Sequence, residues 1–156
     1  MEDVFRIEGN MLIEYHDNPE ITHITIPDSV TSIGECAFFG CKNLKSKRAY
    51  YKAFKITEQG LMCRDYIFKP DKWTEDIQNP ELCEKGYHFC DNLFNVFNFY
   101  SGQIDKDIAI YECEVGDIVI SDKNNEKYVT NRIKPVKRLD RLEVIKILNN
   151  KAEAEK

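Results

Sequence analysis

The chain of 156 residues has no apolar run approaching the ~18 residues of a membrane span. Its first residues, MEDVFRIEGN, carry acidic side chains and no apolar stretch, so they lack the pattern of a secretory signal. Gly-rich phosphate loops are missing: neither G-x-x-x-x-G-K-[ST] nor G-x-G-x-x-G occurs. Positive charge is in the minority, with 22 Lys and Arg against 27 Asp and Glu and a net charge of -5. An acidic surface repels phosphate backbones, which disfavours direct nucleic-acid binding. It suits a basic partner, including the nucleic-acid groove of another protein. Without an export signal, the six cysteines read as reduced thiols, most of them small buried hydrophobes.

What is present suffices for a folded core. Hydrophobic residues make up 42% of the chain and aromatics 12%, which argues against general disorder. Two blocks and a tail are expected: a short β module over 1–47, an α+β domain over 48–148, and a charged tail over 149–156. In the first block FRIEGNMLIEY alternates, HDNPE is turn-rich, and ITHITIP is a short β run that Pro27 ends. Val30, Ile33, Ala37, Phe38 and Leu44 then recur at spacings that suit a compact turn packing inward.

The stretch ITIPDSVTSIGECAFFGCKNLKS resembles the BspA-type leucine-rich repeat, with its IP-x-x-V-x-x-IG-x-x-AF-x-x-C-x-x-L pattern. The resemblance covers roughly the first third of the chain, and FRIEGNMLIEY resembles the strands that cap such arrays. It implies that Ile24, Ile26, Val30, Ile33, Phe38 and Leu44 point inward, and that the repeat surface serves protein contacts. No second repeat follows, and an isolated unit cannot bury both of its sides. Its open side is therefore expected to pack on residues 48–148 or on a partner, a second copy of the chain included.

In the second block AYYKAFKI, TEQG and LMCRDYIFK read as two strands joined by a turn, and PDKWTEDIQNPE as a polar loop. LCEKGYHFC reads as a turn and a short strand. DNLFNVFNFY places Leu93, Phe94, Phe97 and Tyr100 at helical spacing, with Asp91 as N-cap. DIAIYECEVGDIVIS alternates and is broken by Gly116, which suggests a bent strand or a hairpin. YVTNRIKPV is extended. LDRLEVIKILNN is a terminal helix with Leu142, Ile145 and Leu148 on one face and Asp140 near its start. The fold class is α+β: a short leucine-rich-repeat-like β module, then a mainly antiparallel sheet with two helices.

Several clusters bear on chemistry. Cys63, Cys83, His88 and Cys90 would be the ligands of a tetrahedral zinc, although C-x₄-H-x-C is not a zinc-knuckle spacing. Cys90 precedes a helix and lies near His88, which raises a thiolate nucleophile; a packed thiol is the simpler alternative. The segments YYKAF, LMCRDYIF and ELCEKGYHFCDN, with the aromatic helix ending in Tyr100, resemble a small domain of unknown function met in bacteriophage and prophage proteins. That family supplies no activity. The order of elements also resembles ADP-ribosyltransferase-like domains. That resemblance implies a pocket for NAD or a related nucleotide lined by Tyr51, Lys52, His88 and Tyr100, with Glu126 as the acidic catalyst. Lys52 stands where that family has Arg or His, and HFC replaces its Ser-Thr-Ser. Lys42, Lys45, Lys47 and Arg48 form a basic run with interleaved aromatics, suited to a partner surface or to a solvated linker face.

These readings lead to a non-enzymatic expectation with no cofactor. The chain would be a phage- or prophage-type accessory protein in the host bacterial cytoplasm. It would bind a host protein, such as a nucleic-acid-binding immune effector, and inhibit that defence. The alternatives are the nucleotide-binding domain and a virion-associated structural protein.

Overall fold

The computed structural model describes residues 5–16, 20, 24–38, 41, 44–64, 66–82, 84–100, 102–124 and 126–149. The elements are β1 (Phe5–Glu8), β2 (Met11–Tyr15), β3 (Ser32–Ile33), β4 (Tyr51–Thr57), β5 (Gly60–Cys63), β6 (Tyr66–Phe68) and β7 (Tyr87–Phe89). They continue with α1 (Leu93–Val96), β8 (Gly102–Gln103), β9 (Ile108–Val115), β10 (Val119–Ser121), β11 (Tyr128–Thr130), β12 (Ile133–Leu139) and α2 (Arg141–Asn149). The class is α+β, with mostly antiparallel sheets and two short helices.

Among the described residues the strands form three sheets, in the orders β1-β2-β3-β8, β10-β11-β7 and β12-β9-β4-β5-β6, so the one sheet expected of residues 48–148 is two, and β8 from that block joins the N-terminal strands. In the last of these, β4 and β9 are central. Tyr51 to Phe54 and Ile108 to Tyr111 are all buried, because both faces of these strands are covered. One face carries Tyr51, Ala53, Ile108, Ile110 and Leu139 against α1, α2 and residues 12–44. The other carries Phe54, Ala109, Tyr111 and Cys113 against Tyr87 and Phe89 of β7. Strand alternation thus splits one run of sequence between two cores. The outer edge of β12, which contains Pro135, is covered by the 71–77 loop: Asp71 N–H donates to Pro135 O (2.7 Å) and Thr74 N–H to Ile133 O (3.0 Å).

Gly116 marks where the chain leaves one sheet for another, between β9 and β10. A Cβ there would lie 2.2 Å from Asn131 Oδ1, so only glycine permits the crossing. Asn131 is 3% exposed and holds the junction, donating to Asp76 (2.9 Å) and Asp117 (3.3 Å) and accepting from Ile118 N–H (3.1 Å). Gly86, before β7, has φ of +110°, and a Cβ would meet Val129 Cγ2 at 2.6 Å and Pro80 Cβ at 2.8 Å.

The N-terminal segment is tied to the rest of the chain. Ile24, Ile26, Val30, Ile33, Phe38 and Leu44 are all buried, in one core with α1 and α2. Phe38 meets Phe94 edge-on at 5.0 Å and Phe97 at 6.3 Å. β3 pairs with β8. Arg141 donates to the carbonyls of Asp28 and Val30, and Asn149 exchanges two hydrogen bonds with the Ile26 backbone. Both ends of α2 are therefore pinned to the 26–30 loop, and the side of the segment that needed cover packs on residues beyond 48.

Some local expectations need correction. Ile24–Pro27 is not a strand, and residues 21–23 lie outside the described residues; the short strand is β3. The cap of α1 is Asn92, not Asp91: its side chain accepts from Phe94 N–H and Ser46 N–H and donates to Leu44 O, which joins helix start and linker. In α2 the apolar face is Val144, Ile145 and Leu148, whereas Leu142 is 54% exposed. Asp140 and Glu143 cap the helix reciprocally, Glu143 N–H donating to Asp140 Oδ1 and Asp140 N–H to Glu143 Oε1.

Candidate functional site

β4 and β7 meet at Tyr51 and Cys90, which exchange backbone hydrogen bonds of 2.7 and 2.9 Å. In β7, Tyr87 and Phe89 enter the second core, and alternation turns the half-buried His88 to the opposite side. Beside this junction lies a cavity of about 290 Å³. Tyr51 and Lys52 reach it from β4, Cys63 and Arg64 from the end of β5, His88 from β7, Phe99 and Tyr100 from beyond α1, and Lys127 from the approach to β11.

Lys52 is 3% exposed. Its Nζ donates to His88 O at 2.6 Å and lies 5.7 and 5.6 Å from the ring centroids of Phe54 and Phe68. Its partners among the described residues are thus a carbonyl and two aromatic rings, not a carboxylate. Arg64 and Lys127 add two further cations, and no Asp or Glu is among the described residues lining the cavity. The His88 imidazole is lowered to about 4 by burial first and then by the charges of Lys52, Arg64 and Lys127, so it is neutral at pH 7. Cys63 Sγ lies 2.9 Å from the Tyr100 hydroxyl, whose pKa is raised by burial and by that thiol.

A second cleft has a volume of about 480 Å³. Asp91, Glu126 and Tyr128 face it, while their neighbours Cys90 and Lys127 face the first cavity. Lys45 and Arg48 also line it, and Arg48 pairs with Asp91 at 2.8 Å. The Tyr128 hydroxyl donates to the same carboxylate at 2.9 Å; burial first, then this bond, pushes the phenol up to about 12.

The structure brings together Tyr51, Lys52, His88 and Tyr100, with Cys63 and Cys90 beside them. It separates Glu126, which lines the other cleft. Cys90 is not an activated thiol: it is 4% exposed, and burial pushes it up to about 12. The helix that was to lower its pKa is only four residues long. Among the described residues no three Cys, His, Asp or Glu side chains gather as metal ligands. Cys83 and Lys42 lie outside the described residues. Lys45 and Lys47 are exposed. Sequence reasoning missed Arg64, Phe99 and Lys127 as cavity residues. Arg64 was legible only as part of a Cys-Arg pair, and Lys127 looked like part of a charged turn.

Three cations, a neutral imidazole and aromatic rings line this cavity. No carboxylate is among the described lining residues, and His88 is a weak base. Fold and cavity together define a small α+β protein with a cation-lined cavity. Residues 51–147 match the family described as Domain of unknown function (DUF7666), and the chain belongs to that family. The match takes in every residue that lines the cavity. No curated protein and no solved structure matches the chain. Among the described residues no helix is long and apolar enough to cross a membrane.

Proposed function

We propose that this protein is a ligand-binding module whose cavity takes an anionic small molecule of the nucleotide class. The observation that carries the reading is Lys52, a buried cation among the lining residues, with Arg64 and Lys127 also on the lining and no carboxylate among the described lining residues. A buried charge without a counter-ion is costly, and a bound phosphate offsets that cost. The rings of Tyr51, Phe99 and Tyr100 supply apolar walls for a base or nicotinamide. At about 290 Å³ the cavity is at the small end of the ~300–1,000 Å³ usual for ligand sites, which suits one nucleotide unit. Calorimetry with AMP, ADP, NAD and inorganic phosphate tests the reading. Binding that Lys52→Met weakens tenfold or more, and that His88→Ala also weakens, supports it. Absence of binding to all four at millimolar concentration overturns it.

A second reading keeps the N-terminal segment as a BspA-like repeat unit within a phage- or prophage-type accessory protein that docks on a host protein and blocks a defence effector. It is supported by the repeat pattern, the burial of that pattern's apolar positions, and the exposure of Lys45 and Lys47. Inhibition that saturates at a fixed ratio to the target supports docking; turnover sinks it.

A further inference from the structure

β10 is the edge strand of the β10-β11-β7 sheet, and it is apolar and exposed: Ile118 is 42%, Val119 45% and Ile120 37% exposed. Soluble proteins usually blunt such an edge with charge, proline or a covering loop, as the 71–77 loop covers β12 here. Which backbone groups of β10 face outward follows from its partner. Asp122 N–H donates to Lys127 O (3.0 Å), and Ile118 N–H to Asn131 Oδ1 (3.1 Å). Residues 118, 120 and 122 therefore turn their backbone groups inward, and Val119 and Ser121 turn theirs to the open edge.

We propose that β10 pairs with β10 of a second copy of this chain, antiparallel and centred on Ile120. In this register Val119 of each copy faces Ser121 of the other, so the outward N–H and C=O groups meet in two fully hydrogen-bonded pairs. Ile120 faces Ile120 in the non-hydrogen-bonded position, where side chains come closest, and Ile118 flanks it diagonally. Asp117 of each copy falls opposite Lys123 of the other. Shifting the pairing by one residue would place Asp117 against Asp122 and inward-facing groups against outward-facing ones, so charge and hydrogen bonding select the same register. The product is a six-stranded sheet that joins the two β7 strands, and hence two His88-bearing cavities, across a twofold axis. A single short strand buries little area, so association in the micromolar range is expected.

Sedimentation velocity of the full chain from about 10 to 500 μM is the test. The expected result is a reversible monomer–dimer equilibrium. Ile120→Lys sets two ammonium groups opposite each other and weakens it at least tenfold. Lys123→Asp alone weakens it, and adding Asp117→Lys restores the charge pair; Asp117 also accepts from Asn131 (3.3 Å), so circular dichroism and the unfolding midpoint check that the double variant keeps its fold. Lys123 is exposed, so its variant folds, with circular dichroism as the check. A monomer at every concentration overturns the proposal. So does a dimer that Ile120→Lys leaves intact, or one in which the charge exchange restores nothing.

Discussion

Truncating Phe38 probes how deeply the N-terminal segment belongs to the fold. Phe38 is 2% exposed and touches Tyr15, Phe94 and Phe97, so it joins β2 to α1 through one side chain. Phe38→Ala loses the transfer energy of a buried ring, leaves a cavity, and breaks an edge-to-face pair worth roughly 0.5–1.5 kcal/mol by itself. Buried Phe→Ala changes cost about 3–5 kcal/mol, and this site is enclosed by elements from both parts of the chain, which limits collapse. For a chain of this length each kcal/mol lowers Tm by about 2–4 °C, so a fall of roughly 6–20 °C is expected. The assay is thermal and urea unfolding followed by both far-UV circular dichroism and tyrosine fluorescence. One cooperative transition, shifted as a whole, is expected because residues 12–44 and 51–148 share a core. A loss below about 1 kcal/mol would refute the reasoning. So would an early transition confined to the N-terminal segment while the rest melts unchanged.

The His88 imidazole titrates near 4 in the folded chain against an ordinary value of 6.5, so the unfolded chain binds the extra proton first. Stability is therefore retained above about 6.5 and lost as pH falls from there toward 4; His88→Gln should flatten that window in urea titrations, and a bound anion should raise the imidazole pKa seen by NMR. Gly86→Ala forces a Cβ against Val129 and Pro80 at positive φ, and should cost about 1–3 kcal/mol or more in chemical denaturation. In the folded protein the exposed Cys36 should react with a thiol reagent at pH 8 long before Cys90, which burial holds up to about 12; equal rates would contradict the buried placement.

Local pattern made much of the fold legible. The β4–β5 hairpin, the half-buried strand at His88, and α2 with Asp140 at its start all follow from short-range periodicity and capping chemistry. The Leu142 face was misread because periodicity shows that a stripe exists but not how far around the helix the core reaches. The site was legible in part. Tyr51, Lys52, His88 and Tyr100 stood out as polar or aromatic residues on otherwise apolar elements. Arg64 and Lys127 did not, because an isolated cation in a turn looks like any solvated charge until another strand is laid beside it.

Alternation and composition by themselves determined most of the strand-forming segments, the two helices, the apolar positions from Ile24 to Leu44, and the acidic character of the chain. Only the tertiary structure decided that three sheets form, that β9 and β10 on either side of Gly116 join different sheets, and that Glu126 and Lys127 face different clefts. Spacing along a chain sets which neighbours share a face. Which faces then meet depends on long-range pairing, such as β3 with β8 or Tyr51 with Cys90, and that pairing sets three cations around one neutral histidine.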